Sequence, residues 1–108
     1  MENDQTFMQD LHELGKINKT IHSPARLMIL TILYVIDTCD FAFLLKQTSL
    51  TSGNLSANII KLEEAGLISV MKEFVDRKPM TLLEITPEGR ENLAKYRQNM
   101  QQILDLLQ

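Results

Sequence analysis

Asn54, Ala57, Asn58 and Lys61 recur at i, i+3, i+4 and i+7, the spacing that puts four residues on one face of a helix. Their chemistry suits the edge of a nucleobase. An Asn amide donates and accepts at once and pairs in bidentate fashion with adenine, while a Lys ammonium reaches guanine or a phosphate. Ser52, Gly53, Ser56 and Ala57 are small, so a partner can approach the helix N-terminus closely. The backbone N–H groups there, with the Thr51 and Ser52 hydroxyls, suit a phosphate oxygen. Further along, Arg77 and Lys78 stand together between two apolar segments. A guanidinium fits a phosphate pair or a narrow minor groove. Each feature also has a bland reading. Polar faces are the default on surface helices, and a charged turn, taken alone, is better explained by solvent.

The elements that must position these residues are legible. Thr51 caps a helix running to about Ala65, with Leu55, Ile59 and Leu62 on its inner face, and Gly66 ends it in a left-handed conformation. Before it, Asp40 caps a brief helix, Phe41 to Gln47, that buries Phe41, Leu44 and Leu45. Thr48-Ser49-Leu50 joins the two as a helix-turn-helix. After Gly66, Ile68 to Val75 reads as a strand with Ile68, Val70 and Phe74 on one side. Asp76 to Pro79 is the turn, and Met80 to Ile85 the return strand. Pro79 removes an N–H from an edge strand and so discourages further pairing.

Ser23-Pro24 and Thr86-Pro87 each combine an N-cap with proline at the first helical position. The first opens a helix to about Ile36 that is apolar on most sides and is expected at the centre of the fold. Asp37 to Asp40 is expected as a short polar break. The second opens the final helix, from Pro87 to near Leu107. Phe7, Leu11, Leu14, Ile17 and Ile21 mark an N-terminal helix over about 1–22, weakened at Gly15.

Leu93, Tyr96, Met100, Ile103 and Leu107 are spaced 3-4-3-4, a heptad-like seam. Phe7, Leu11, Leu14, Asn18 and Ile21 give an equivalent seam with one polar seat. Folding back onto the chain's own core would explain both. A helix of about 20 residues spans ~30 Å, as long as a small domain, so part of the final helix is expected to project and pair with a second copy.

The chain has 108 residues, enough for one domain with its own core. No apolar run reaches the ~18 residues of a membrane span, and the acidic, polar start M-E-N-D-Q-T is not a secretory signal. Cys39 is the lone cysteine, so no internal disulfide forms and a reducing cytoplasm is the simplest setting. No cation neighbours it in sequence to lower its pKa, which makes it an inert thiol rather than a redox sensor. His12 and His22 are isolated, so no metal or other cofactor is expected. No nucleophile–base order, glycine-rich phosphate loop or carboxylate pair supports an enzyme. The formal net charge is −3 and the sequence pI about 5.3, whereas a strong nucleic-acid binder often exceeds pI ~9. From Thr48 to Lys78 four cations balance four carboxylates. That segment is less acidic than the rest of the chain, but it is not a basic patch.

The pieces G-N-L-S, L-E-E-A-G-L-I, K-E-F, R-K-P-M-T and T-P-E-G-R, in this order, resemble the small winged-helix transcriptional regulators of bacteria and archaea. These are related to the multiple-antibiotic-resistance (MarR) and arsenic-resistance (ArsR) regulators. The resemblance covers about Ser23 to Tyr96. It implies a dimeric DNA-binding regulator whose third core helix enters the major groove, and it sets Ser52, Gly53, Asn54, Ser56, Ala57, Asn58 and Lys61 near DNA, with Arg77 and Lys78 on the wing. By family analogy a small-molecule effector can bind at the dimer interface. Where many relatives carry Arg or His after the G-N-L-S serine, this chain has Ala57-Asn58, which weakens the implication of guanine reading.

The expectation is therefore an α+β, mainly helical chain: a winged helix-turn-helix with a two-stranded β wing and terminal dimerisation helices. Its partners would be double-stranded DNA and a second copy, with no membrane. The neutral contact face keeps a second reading open, a winged helix used for protein–protein contact.

Overall fold

The computed structural model describes the backbone from Glu2 to Gln108 and the side chains from Gln5 onward. Met1, counted in the expected 1–22 helix, lies outside the described residues. In chain order the elements are α1 (Glu2–Leu14), α2 (Pro24–Ile36), β1 (Thr38–Asp40), α3 (Phe41–Thr48), α4 (Ser52–Glu64), β2 (Ile68–Val75), β3 (Lys78–Ile85) and α5 (Pro87–Asp105). This is the mainly helical α+β winged helix that the sequence implies.

The expected N-caps all form. Ser23 Oγ accepts from the Arg26 N–H, Asp40 Oδ1 from Phe43, Thr51 Oγ1 from Asn54 and Thr86 Oγ1 from Gly89. Each satisfies a donor that the first helical turn leaves unpaired. Gly66 takes φ +77°, and the following Leu67 N–H reaches back to the Leu62 carbonyl at 3.0 Å, so the chain leaves α4 through a left-handed stop. Leu30 and Leu33 from α2, Leu44 from α3, Leu55 and Leu62 from α4 and Leu83 from β3 are fully buried together.

Four expectations need correction. The break at Asp37 to Asp40 contains a strand: Thr38, Cys39 and Asp40 pair antiparallel with Glu84, Leu83 and Leu82. The sheet is therefore three-stranded, in the order β1-β3-β2, rather than a two-stranded wing alone. The N-terminal helix stops at Leu14, not near residue 22. Past Gly15, Asn18 Oδ1 accepts from the Thr20 and Ile21 N–H groups, an alternative to helix that Asn side chains offer readily. Ile17 and Ile21 still reach the core, from this turn. The end of α2 is not central: Tyr34, Val35 and Ile36 are exposed, because the core covers only the stripe of Ile29, Leu30 and Leu33. Finally, the wing turn is only Asp76-Arg77, since Lys78 already pairs with Val75.

The junction of α4, β2 and α5 fixes where the wing stands relative to α4. Thr86 Oγ1 donates to the Gly66 carbonyl at 2.7 Å, and the Thr86 N–H donates to the Leu67 carbonyl at 3.0 Å. Gly89 is pressed onto that same Leu67 carbonyl; a Cβ there would lie 2.1 Å from it. At the other end of the molecule α1 packs along α5. The molecule measures 67 × 25 × 21 Å with a radius of gyration of 16.8 Å, against about 13 Å for a compact chain of this length. The β2–β3 hairpin and the arm formed by the packed pair of α1 and α5 are the elements that extend beyond the core.

Candidate nucleic-acid interface

Of the expected contact residues, the cap Thr51 and, on α4, Ser52, Gly53, Asn54, Ser56, Ala57 and Lys61 are exposed, and Ile60, Glu63 and Glu64 are exposed on the same helix. A Cβ built on Gly53 meets open space, so nothing within the molecule obstructs close approach to the helix N-terminus. Asn58 is different. It is 8% exposed, and its amide is engaged within the molecule. Asn58 Nδ2 donates to the Asn54 carbonyl at 2.9 Å and to the Asn54 amide oxygen, while Asn58 Oδ1 accepts from Arg26 Nη1 at 2.9 Å. This corrects the sequence reading, which set Asn58 on the outward face. Its position three after Leu55 and four before Leu62 belongs to the buried stripe.

Sequence reasoning missed Arg26. Its Nε donates to the Thr20 carbonyl while Nη1 holds Asn58. One guanidinium thus ties the turn after α1 to the middle of α4, with the fork geometry that Arg supplies and Lys cannot. The available signal was a lone Arg near the start of an otherwise apolar helix.

The wing projects beside α4. Asp76 and Arg77 take φ of 52° and 67°, positive values at both centres of a two-residue turn, the hairpin geometry that follows the right-handed strand twist. Arg77 therefore sits at the tip, and Lys78 one residue into β3. Between wing and α4 lies an open cavity of about 460 Å³, lined by Ser52, Ser56, Ile60, Glu63, Lys72 and Thr81 among others. An exposed small-residue helix and a protruding hairpin with a cationic tip flank this cleft.

The model of the family described as "Winged helix DNA-binding domain" matches residues 25–104. The chain belongs to that family. Among solved structures, a transcriptional regulator homologue from Pyrococcus horikoshii is similar at 32% identity and a TM-score of 0.83, covering 92% of this chain and 97% of that one. An uncharacterized protein of Methanocaldococcus jannaschii is 35% identical, over 72% of this chain and 85% of its own length. At the level of the fold, the solved neighbours include MarR-family transcriptional regulators. One neighbour is the repressor CouR, solved on a 23-mer DNA duplex, with 21% identity, a TM-score of 0.67 and coverage of 91% of this chain and 66% of that one.

In this winged helix the residues expected to pair two copies are spread between core and surface. Tyr96 is buried, with its hydroxyl 2.9 Å from His22 Nδ1, and burial pushes its phenol pKa up. Leu93 and Met100 pack partly against the core, and Ile103 is half-buried. Phe7, Leu11, Leu14 and Leu107 are exposed on the arm. A cavity of about 590 Å³ opens between α2 and α5, lined by Leu27, Thr31, Tyr34, Leu93, Tyr96 and Met100 among others. Arg90 closes the neighbouring surface: it lies 5.0 Å from the Tyr34 ring centroid and pairs with Asp37.

Cys39 sits in β1. Burial and the adjacent Asp40 carboxylate push its thiol up to about 11, so the nucleophilic thiolate is scarce at neutral pH. Among the described residues no group of three or more His, Cys, Asp or Glu could hold a metal ion, and no helix is long and apolar enough to cross a membrane.

Proposed function

We propose that this winged-helix regulator is a homodimeric repressor that binds a two-fold symmetric DNA site, with α4 in the major groove and the wing on the flanking backbone or minor groove. The observation that carries this reading is the pairing of an unobstructed α4 N-terminus with a projecting hairpin tipped by Arg77, on two sides of one cleft. Thr51, Ser52, Gly53, Asn54, Ser56, Ala57 and Lys61 are the α4 contacts, and Arg77 and Lys78 those of the wing. Asn58 acts from behind, by holding Asn54.

Dimerisation through the arm is supported by Phe7, Leu11, Leu14 and Leu107, all exposed apolar side chains on two helices that project from the core. Two-fold symmetry would space two reading helices about 34 Å apart, one turn of the duplex. Binding would block a promoter sterically. The apolar cavity between α2 and α5 is the place we assign to a small-molecule effector. A cytoplasmic setting suits a DNA partner and a lone cysteine.

The balanced charge from Thr48 to Lys78 favours the second reading, a protein–protein module. Charge reversal separates the two. Lys61→Glu combined with Arg77→Glu is expected to abolish binding to a duplex selected from a random pool, at stated salt, while sedimentation is unchanged. Wild-type duplex affinity in the double variant would overturn the DNA reading.

A further inference from the structure

Strand register divides the wing into two unlike faces. Phe74 opposes Pro79 and Lys72 opposes Thr81. Alternation puts these four on the same face as Ile68, Val70, Leu83 and Ile85, the face whose root is the core. The other face carries Met71, Glu73, Val75, Lys78, Met80, Leu82 and Glu84. Both strand carboxylates, Glu73 and Glu84, are thus on the far side. On the near side the only charge in β2 and β3 is Lys72, which lines the cleft against α4.

Phe74 lies beyond Lys72 toward the tip. It is 79% exposed, the most exposed large apolar side chain among the described residues. Nothing in the fold uses it. In a two-residue hairpin the closing pair, Val75 and Lys78, is hydrogen-bonded, so Phe74 and Pro79 form the next, non-bonded pair, whose side chains stand closer together. The result is a stiff apolar edge with no strand carboxylate on its face, and the tip just past it carries both the Asp76 carboxylate and the Arg77 guanidinium. It matches the way minor-groove proteins combine Arg with apolar wedges that part a base step.

We propose that Phe74, backed by Pro79, is an apolar wedge that the wing presses into the minor groove, so that this protein recognises how easily a base step opens as well as its phosphates. This rests on the DNA-binding reading above. It also explains how a contact surface of zero net charge gains affinity, since wedge insertion releases no counterions. Pyrimidine–purine steps, which kink most easily, are the expected site.

The test uses the full chain and a duplex selected from a random pool. Affinity is measured over a salt series and bending by fluorescence energy transfer between the duplex ends. Phe74→Ala is expected to weaken binding about tenfold, leave the log–log salt slope unchanged and reduce the bend, and Phe74→Leu to restore most of both. Arg77→Ala is expected to flatten the slope by about one and keep the bend. Because the Phe74 side chain is exposed, its variants should melt with the wild type. A Phe74→Ala protein that binds and bends like wild type overturns the wedge and leaves the DNA reading standing. Absence of duplex binding by wild type at low salt overturns both. Loss of self-association in Phe74→Ala with unchanged duplex binding overturns the wedge in favour of a contact between copies.

Discussion

Gly53 lies in the first turn of α4 with open space where a Cβ would be, and Arg77 holds a left-handed φ of 67° at the wing tip. Neither choice serves stability. Glycine inside a helix costs about 0.5–1 kcal/mol relative to alanine, and a left-handed residue with a Cβ costs roughly 1–2 kcal/mol. The same positive φ at Asp37 and Ser49 serves helix C-caps, whereas Gly53 and Arg77 have no such role and lie on the proposed contact face, where function can offset a broken local rule. Gly53→Ala and Arg77→Gly are therefore each expected to raise stability in urea by about 0.5–1 kcal/mol while weakening duplex binding. Two variants that are more stable and bind as wild type would remove both positions from the interface. At this scale the sequence was readable where it spoke through backbone preference: the caps at Ser23, Asp40, Thr51 and Thr86 follow from side-chain chemistry and local spacing. Asn58 was misread because its spacing from Asn54, Ala57 and Lys61 fits an outward face, while its spacing from Leu55 and Leu62 fits the inner one, and the position lies where the two meet. Its partner, Arg26, comes from another helix.

The junction at Gly89 decides how α4, the wing and α5 stand relative to one another. The Leu67 carbonyl that Gly89 abuts also accepts from Thr86, so a methyl group there cannot be accommodated by rotating a side chain. Gly89→Ala is expected to cost roughly 1–3 kcal/mol or more, as overpacked sites do, and to lower the thermal midpoint measured by circular dichroism. An unchanged midpoint would mean that the junction yields more easily than its geometry implies. The elements themselves were largely legible, because apolar periodicity and caps are local signals. The strand β1 was not. Three residues, one of them the capping Asp40, carry no period that distinguishes a strand from a polar break. Pairing with β3 creates it. Nor did the sequence show that the wing turn would close over two residues, since neither Asp76 nor Arg77 is the glycine that such a turn prefers.

The whole molecule is much longer than it is wide, and the arm formed by α1 and α5 leaves apolar side chains in water. We expect these to be covered by a second copy. Leu11→Glu combined with Leu107→Glu, at positions 42% and 76% exposed, should leave the fold intact. It should yield a monomer in sedimentation equilibrium and lower duplex affinity by about a hundredfold or more, the scale on which linked half-sites reinforce each other. A double variant that remains dimeric would move the interface elsewhere.

The seams at both ends were visible as heptad-like spacing, but spacing alone could not divide them. Tyr96 turned inward to meet His22, while Leu107 stayed outside. By itself the sequence determined the order of elements, their caps, the inner stripes and the helix-turn-helix with its hairpin, because these depend on neighbours within a few residues. Tertiary structure alone decided that Asn58 serves Arg26, that β1 joins the sheet, that Phe74 stands in water and that α1 and α5 form an arm. Each of those outcomes depends on which distant surface is left to cover a side chain, and local spacing does not carry that information.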